Sequence, residues 1–200
     1  MSFGAPSNVR KRFRTAPKTA VAACALTMAI VGLGYVMLGL LPAALFTFGF
    51  LGGLLAWFVV PTAASFGEIR TPFFLTLGLF VVHKLEERYL DFFPALSRIT
   101  GVPVPDTNSI LVYLLYGLAS TWLLTPWLMK RGHAFGQYLA WTFFVSMGVV
   151  ELAHFAFPLL TPGSYEYFPG MVSALLLVPA AWWGIRRLAR PSTAGPRLLD

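Results

Sequence analysis

The sequence predicts an all-α fold, a polytopic membrane helical bundle of about six transmembrane helices. Three observations predict it. The 200-residue chain is 57% hydrophobic and 12% charged, whereas a soluble domain carries about 25% charged residues, and its mean hydropathy is +0.70. Its apolar residues gather into stretches of about 20, the length that crosses a bilayer as a helix. The joints between the stretches hold prolines, glycines and most of the charges. The net charge of +7 forms no clustered basic face of the kind nucleic acid requires. The expected partner is therefore the lipid bilayer, with no nucleic acid, and the oligomeric state is left open.

Residues 1–18 form a basic tail, with Arg10, Lys11, Arg12, Arg14 and Lys18. Two additional transmembrane helices occupy 19–61, as spans 19–40 and 42–61. They join at Gly39-Leu40-Leu41-Pro42, with Pro42 opening the second span because proline suits a first helical turn. A kinked or re-entrant pair is the alternative. Pro61-Thr62 and Arg70-Thr71-Pro72 bracket a short loop before the span 71–90. A longer loop from Asp91 to Asn108 contains Pro94, Gly101, Pro103 and Pro105 and is placed to cover a site mouth. Span 109–129 ends in the basic turn Lys130-Arg131-Gly132-His133. Span 137–158 ends at Thr161-Pro162-Gly163-Ser164, and span 167–187 leads into a second tail, 188–200.

The lone cysteine, Cys24, excludes an intrachain disulfide. Val21-Ala22-Ala23-Cys24 looks like a lipoprotein cleavage box, but only five residues separate Lys18 from Cys24, short of the apolar run of about 7–15 that a signal needs. Gly49 and Gly53 form a G-x-x-x-G, which lets another helix approach closely.

Lys and Arg set the orientation. An even number of spans places both tails on one side, together with Arg70, Lys130, Arg131, Arg186, Arg187, Arg190 and Arg197. The opposite side keeps only Lys84, Arg88 and Arg98. Both termini are thus expected in the cytoplasm.

Against this apolar background, His83, Glu86 and Glu87 sit in one span and Glu151 and His154 in another. Charged groups at membrane depth cost roughly 2.5–3.5 kcal/mol each even on a lenient scale, so they face inward with a partner or a task. Counted from Thr71, His83 to Glu87 lie 12–16 residues along their span; counted from Gln137, Glu151 and His154 lie 14 and 17 along theirs. At about 1.5 Å per residue, the two groups reach nearly the same height, in the outer half of the membrane. Residues three and four apart share a helix face, so two imidazoles and two or three carboxylates converge if these spans pack together. Glu86 has no cation on its own face and is expected to be the inward carboxylate. Glu87, nearer Lys84 and Arg88, is a second ligand or an ion-pair partner. His83, Glu86, Glu151 and His154 are the expected metal ligands, and Glu87 joins them as a candidate catalytic residue.

Ser109, Tyr113, Tyr116 and Ser120 make a polar stripe, read either as an interfacial aromatic belt or as a site wall. Tyr165 and Tyr167 read as belt. His133 reads as a solvated loop histidine.

His83-Lys84-Leu85-Glu86-Glu87 resembles the signature of the HXXEE domain family of bacterial membrane proteins. The similarity continues to His154 in an apolar helix and to Tyr167-Phe168-Pro169-Gly170 before the last span. It covers roughly 71–187, a four-helix membrane domain to which 19–61 is an addition. The resemblance implies a polytopic helical bundle in the bacterial cytoplasmic membrane and marks His83, Glu86, Glu87 and His154 as signature residues. It implies no substrate.

Several chemistries fit these residues. Two imidazoles with carboxylate suit one zinc, iron or manganese ion with positions left for water or substrate, which makes a metal-dependent enzyme acting on a lipid or apolar substrate. A di-iron bundle needs two Glu-x-x-His motifs and two further glutamates, and the chain has one such motif. The same groups without metal suit acid/base catalysis, as an isomerase of a lipid-like substrate. A proton pathway would need polar groups through the inner halves of the spans, and these are apolar. The cluster can also be a structural polar lock between two helices, with no catalysis.

Overall fold

The computed structural model describes residues 16–62, 64–106, 108–161 and 164–190, and its regular structure there is entirely helical. The basic residues Arg10, Lys11, Arg12, Arg14 and Arg197, and Pro162 and Gly163 of the expected turn, lie outside the described residues.

Helix α1 (Pro17–Leu38) opens with its proline in the first turn, where a missing N–H costs nothing. It stops at Gly39, whose φ of 80° reverses the chain in one residue. Helix α2 (Leu40–Val59) follows at once, so Pro42 is its third residue rather than its first. The two helices form an antiparallel hairpin. Gly34 faces Phe46 across the turn. Farther in, the Thr27 and Tyr138 hydroxyls share a hydrogen bond of 2.8 Å, and Trp57 packs edge-on to the Tyr138 ring. Midway along α2, Thr47–Leu51 form a π-helical turn.

Helix α3 (Phe66–Tyr89) begins five residues before the expected Thr71. Its start is fixed by Ser65, whose backbone N–H donates to Glu68 Oε2 at 2.6 Å, the returning half of a capping box. Pro72 is carried inside the helix. The expected loop 91–108 is corrected in part: Asp91, in a left-handed turn with φ 57°, leads into a further helix, α4 (Phe92–Thr100). Pro94 does not prevent it, because the third position of a helix has no intrahelical use for its N–H. Ala95 and Leu96 are buried, and Phe92 and Ile99 pack with Phe157 and Phe168 in a small apolar cluster.

Helices α5 (Ile110–Lys130), α6 (Ala134–Leu160) and α7 (Met171–Leu188) complete the bundle. Among the described residues five helices, α1, α2, α5, α6 and α7, are long and apolar enough to cross a membrane. Helix α3 is as long but carries Glu68, Arg70, Lys84, Glu86, Glu87 and Arg88. The helical bundle is thus present, and five of the expected six crossings qualify by length and apolarity.

Helix α6 is the central post. Every side chain from Tyr138 to Phe144 is buried, as expected of a helix that is apolar all round. Phe73 of α3, Phe143 and Phe144 of α6 and Leu177 of α7 are fully buried in the core that α1 and α2 also enter through Ile30, Phe50 and Trp57. The outer faces are apolar too, with Val36, Phe48, Val59, Leu159 and Leu176 all well exposed, a surface suited to lipid.

The G-x-x-x-G finds its partner within the chain. A Cβ on Gly53 would lie 2.5 Å from Thr142 Cα, and one on Gly49 would lie 2.6 Å from Ser146 Oγ. Small residues on α2 therefore seat against small residues on α6. Gly53→Ala should lower the unfolding free energy by about 1–3 kcal/mol through overpacking. Gly78→Ala, where an added Cβ meets nothing within 4 Å, should not lower it. Thermal unfolding in detergent micelles, followed by circular dichroism, checks the pair.

Candidate metal centre

Three helices and one loop build the site. His83 and Glu87 lie one turn apart near the end of α3. Glu151 and His154 lie one turn apart on α6, and the segment 167–173 runs over them into α7. Helix α6 is irregular at this point. Val149 leaves helical geometry (φ −120°, ψ −49°), and Val150–Leu152 tighten into a 3₁₀ turn that carries Glu151. Pro158 removes the N–H that would bond the His154 carbonyl four residues back. Such local departures from α-helix are common at functional sites.

Four donor atoms converge. His83 Nε2 lies 3.1 Å from Glu87 Oε1 and 3.0 Å from Glu151 Oε2. His154 Nε2 lies 3.4 Å from Glu87 Oε1 and 3.1 Å from Glu151 Oε2. All four residues are buried, and each offers one ligand atom within 4.8 Å of the others. The two imidazole rings stand nearly perpendicular, with centroids 4.7 Å apart. Tetrahedral bonds of about 2.0–2.2 Å give ligand–ligand edges of roughly 3.3–3.6 Å. The His154–Glu87 edge, at 3.4 Å, falls within that range, and the other three, at 3.0–3.1 Å, are slightly shorter.

Outer partners fix the rings. His154 Nδ1 is 2.6 Å from the Pro169 carbonyl. A carbonyl only accepts, so Nδ1 carries the hydrogen. His83 Nδ1 is 2.8 Å from Ser173 Oγ, whose own hydroxyl reaches the Gly170 carbonyl at 3.3 Å. Ser173 therefore accepts from His83 Nδ1. In the neutral imidazoles both Nε2 atoms then present lone pairs to the carboxylates, the tautomer that metal-ligating histidines adopt when their other nitrogen is engaged. His83 Nε2 is fully buried and has no hydrogen-bond partner despite the two nearby oxygens. Lys84 Nζ binds the second oxygen of Glu87 at 2.6 Å, which turns Oε1 toward the centre.

The two adjacent glutamates are reversed relative to the sequence reading. Glu87 is the inward carboxylate. Glu86 leaves the cluster and caps α7, accepting from the Ser173 N–H at 2.7 Å, the Val172 N–H at 3.1 Å and the Tyr167 hydroxyl at 2.5 Å. The physical reason is that exposed backbone N–H groups at a helix start attract a carboxylate as effectively as a side-chain cation does. Partial desolvation and the Glu86 contact push the Tyr167 hydroxyl up to about 12, so Tyr167 remains a donor. Tyr167 is therefore a structural tie as well as an interfacial aromatic.

Sequence reasoning missed Ser173 and the Pro169 carbonyl as supports. Each residue of Tyr167-Phe168-Pro169-Gly170 has a physical role in the site. Phe168 packs on the His154 ring. Gly170, at φ 97°, lies so close over both imidazoles that a Cβ would sit 2.5 Å from His154 Nδ1 and 2.8 Å from His83 Cε1.

The remaining candidates stand apart. Asp91 is exposed. His133 is exposed at the far end of α6, where its Nδ1 accepts from the Phe135 N–H. Tyr165 donates to the Phe155 carbonyl. Ser109 caps α5, and the Ser120 hydroxyl bonds the Tyr116 carbonyl. Tyr113 points outward, while Tyr116 lines a cavity.

That cavity, of about 160 Å³, adjoins the cluster. Glu87, Glu151 and His154 stand at its polar end with Lys84, and its walls are apolar side chains from α1 to α6, including Phe46, Phe50, Phe80 and Phe92. Its volume is close to the roughly 150 Å³ of an apolar cavity that takes up benzene.

Compared with protein-family models, with curated proteins and with solved structures, the chain matches none.

Two substitutions probe the supports. Gly170→Ala should displace both rings and destabilise the fold by several kcal/mol, since the position also needs a positive φ. Glu86→Gln keeps one accepting oxygen and should cost about 1.5–3 kcal/mol, the value of a charge-assisted hydrogen bond. Unfolding midpoints in detergent, read beside wild type, measure both.

Proposed function

We propose that this chain is an integral membrane metalloprotein whose His83, Glu87, Glu151 and His154 hold one divalent zinc, iron or manganese ion, and that it acts as an enzyme on a lipid or other apolar substrate in the adjoining cavity. The observation that carries this reading is the buried, partnerless Nε2 of His83 among three other ligand atoms, all within 4.8 Å of one another. Two lone pairs facing two carboxylates repel one another in a dry site, and a cation shared by all four converts that repulsion into bonding. The Nδ1 hydrogens are committed to the Ser173 hydroxyl and the Pro169 carbonyl, which leaves both Nε2 atoms directed at the centre where an ion would bind. With four protein ligands, substrate or water would enter by expansion of the coordination or by displacement of a carboxylate. A bound metal supplies Lewis acidity or an activated water.

The proposal includes six crossings with both termini in the cytoplasm of a bacterial cell. Helix α3 is the sixth crossing. It runs antiparallel to α7 over the length of a qualifying span, with Glu86 at Ser173 at one end of the pair. Lys130 lies over the Phe66 ring, which gathers basic residues at the opposite end from the site. The His83-x-x-Glu86-Glu87 resemblance to HXXEE domain proteins is part of the same reading. It gains physical content from Gly170 and Pro169, which serve the two histidines directly.

Purified protein should carry about one equivalent of metal per chain, as a closed four-ligand site would. Glu151→Gln and His154→Ala should reduce that to below about a tenth and lower the unfolding midpoint, since a ion bound only by the folded state stabilises it. Chelation of the wild type should reproduce the lower midpoint. Elemental analysis and thermal unfolding provide the readouts. Metal-free wild-type protein that is unaffected by chelator or added zinc would rule the metal out and return the cluster to a structural lock.

A further inference from the structure

The polar end of the cavity has a charge balance that its two carboxylates alone do not suggest. Lys84 is the charged wall residue that reaches outward: its side chain is 35% exposed, against 10% for Glu87 and 8% for Glu151. Its ammonium touches Glu87 and lies 5.3 Å from the Phe80 ring centroid. With neutral imidazoles, a divalent ion would cancel Glu87 and Glu151. Lys84 would then leave the pole with one net positive charge. Every other charged group lining the cavity is already a ligand, so nothing in the wall neutralises that charge. Beyond it the wall is aromatic and aliphatic.

A net cation beside an apolar chamber of benzene size suits an amphiphile with an anionic head. Helices α3 and α5 flank the cavity. They pack together at the Thr125–Lys130 end of α5, and toward the site both contribute wall residues, Phe80 and Lys84 from α3 and Leu115 and Tyr116 from α5.

We propose that the cavity binds a single-chain anionic amphiphile, a phosphate or carboxylate, with its head held by Lys84 beside the metal and the first part of its chain among Phe46, Phe80 and Phe92. This deepens the metalloenzyme reading and rests on it, since without the ion the pole would carry a net negative charge and repel such a head.

The test compares dodecyl phosphate, dodecanoate and dodecanol on zinc-loaded protein in maltoside micelles, by calorimetric titration with metal content measured on the same samples. Dodecyl phosphate or dodecanoate should bind about tenfold tighter than dodecanol, a difference of about 1.4 kcal/mol. Lys84→Gln, compared at equal measured zinc content, should bring the three within about twofold, a few tenths of a kcal/mol, and Lys84→Arg should restore the preference. Equal binding of the alcohol by wild type, or an anion preference that survives Lys84→Gln, overturns the inference while leaving the metal site standing. A wild-type protein that takes up no zinc overturns both, and the metal assay alone reveals that outcome.

Discussion

The structure depends on one constraint: two carboxylates are buried together, nearly out of reach of water, and their charge must be balanced there. Removing one carboxylate from water without compensation costs far more than a whole domain's stability. His83 and His154 between them contact both acids within 3.4 Å. The supports of those rings come from a different part of the chain, Pro169 to Ser173. Helices α3, α6 and α7 are therefore bound through one centre. The Glu86 carboxylate holds the α7 start to α3 just outside it. The irregular turn at Val150–Leu152 is the local cost of aiming Glu151 at that centre.

The surrounding bundle serves the same end by excluding water. Phe92, Phe157 and Phe168 close around the His154 ring at centroid distances of 5.4, 6.1 and 5.9 Å. The α1–α2 hairpin adds its own wall through Ile30, Phe46 and Phe50. It can do so because Gly49 and Gly53 let α2 lie almost in backbone contact with α6. The π-helical turn at Thr47–Leu51 falls on this stretch, with Phe50 buried within it.

Much of this was legible in the residues. Runs of apolar sequence gave the helices, and counting residues from each span's start placed His83–Glu87 level with Glu151–His154, which is where they meet. What misled was the treatment of side chains as the only partners. Glu86 was placed inward because no cation shares its face, but backbone N–H groups of a remote segment were its partners. That information is absent from a helical wheel. Pro94 read as a loop because proline is a strong breaker, yet its place within a first turn made it harmless. Two further signals were present and unread. Ser65-Phe66-Gly67-Glu68 is a capping box that marks the start of α3. Thr142 and Ser146 repeat the four-residue spacing of small side chains that Gly49 and Gly53 require.

The pairing of Lys84 with Glu87, and of Glu151 with His154, joins residues three apart on single helices. Each half of the centre therefore has a polar neighbour within its own helix, a cation only in the case of Lys84 and Glu87. During biosynthesis α3 emerges from the ribosome well before α6. It can fold with Glu87 already matched by Lys84, and share that carboxylate with His154 when the second half arrives. Glu86 is the acid of α3 that waits longest, because its partners Tyr167, Val172 and Ser173 are synthesised last.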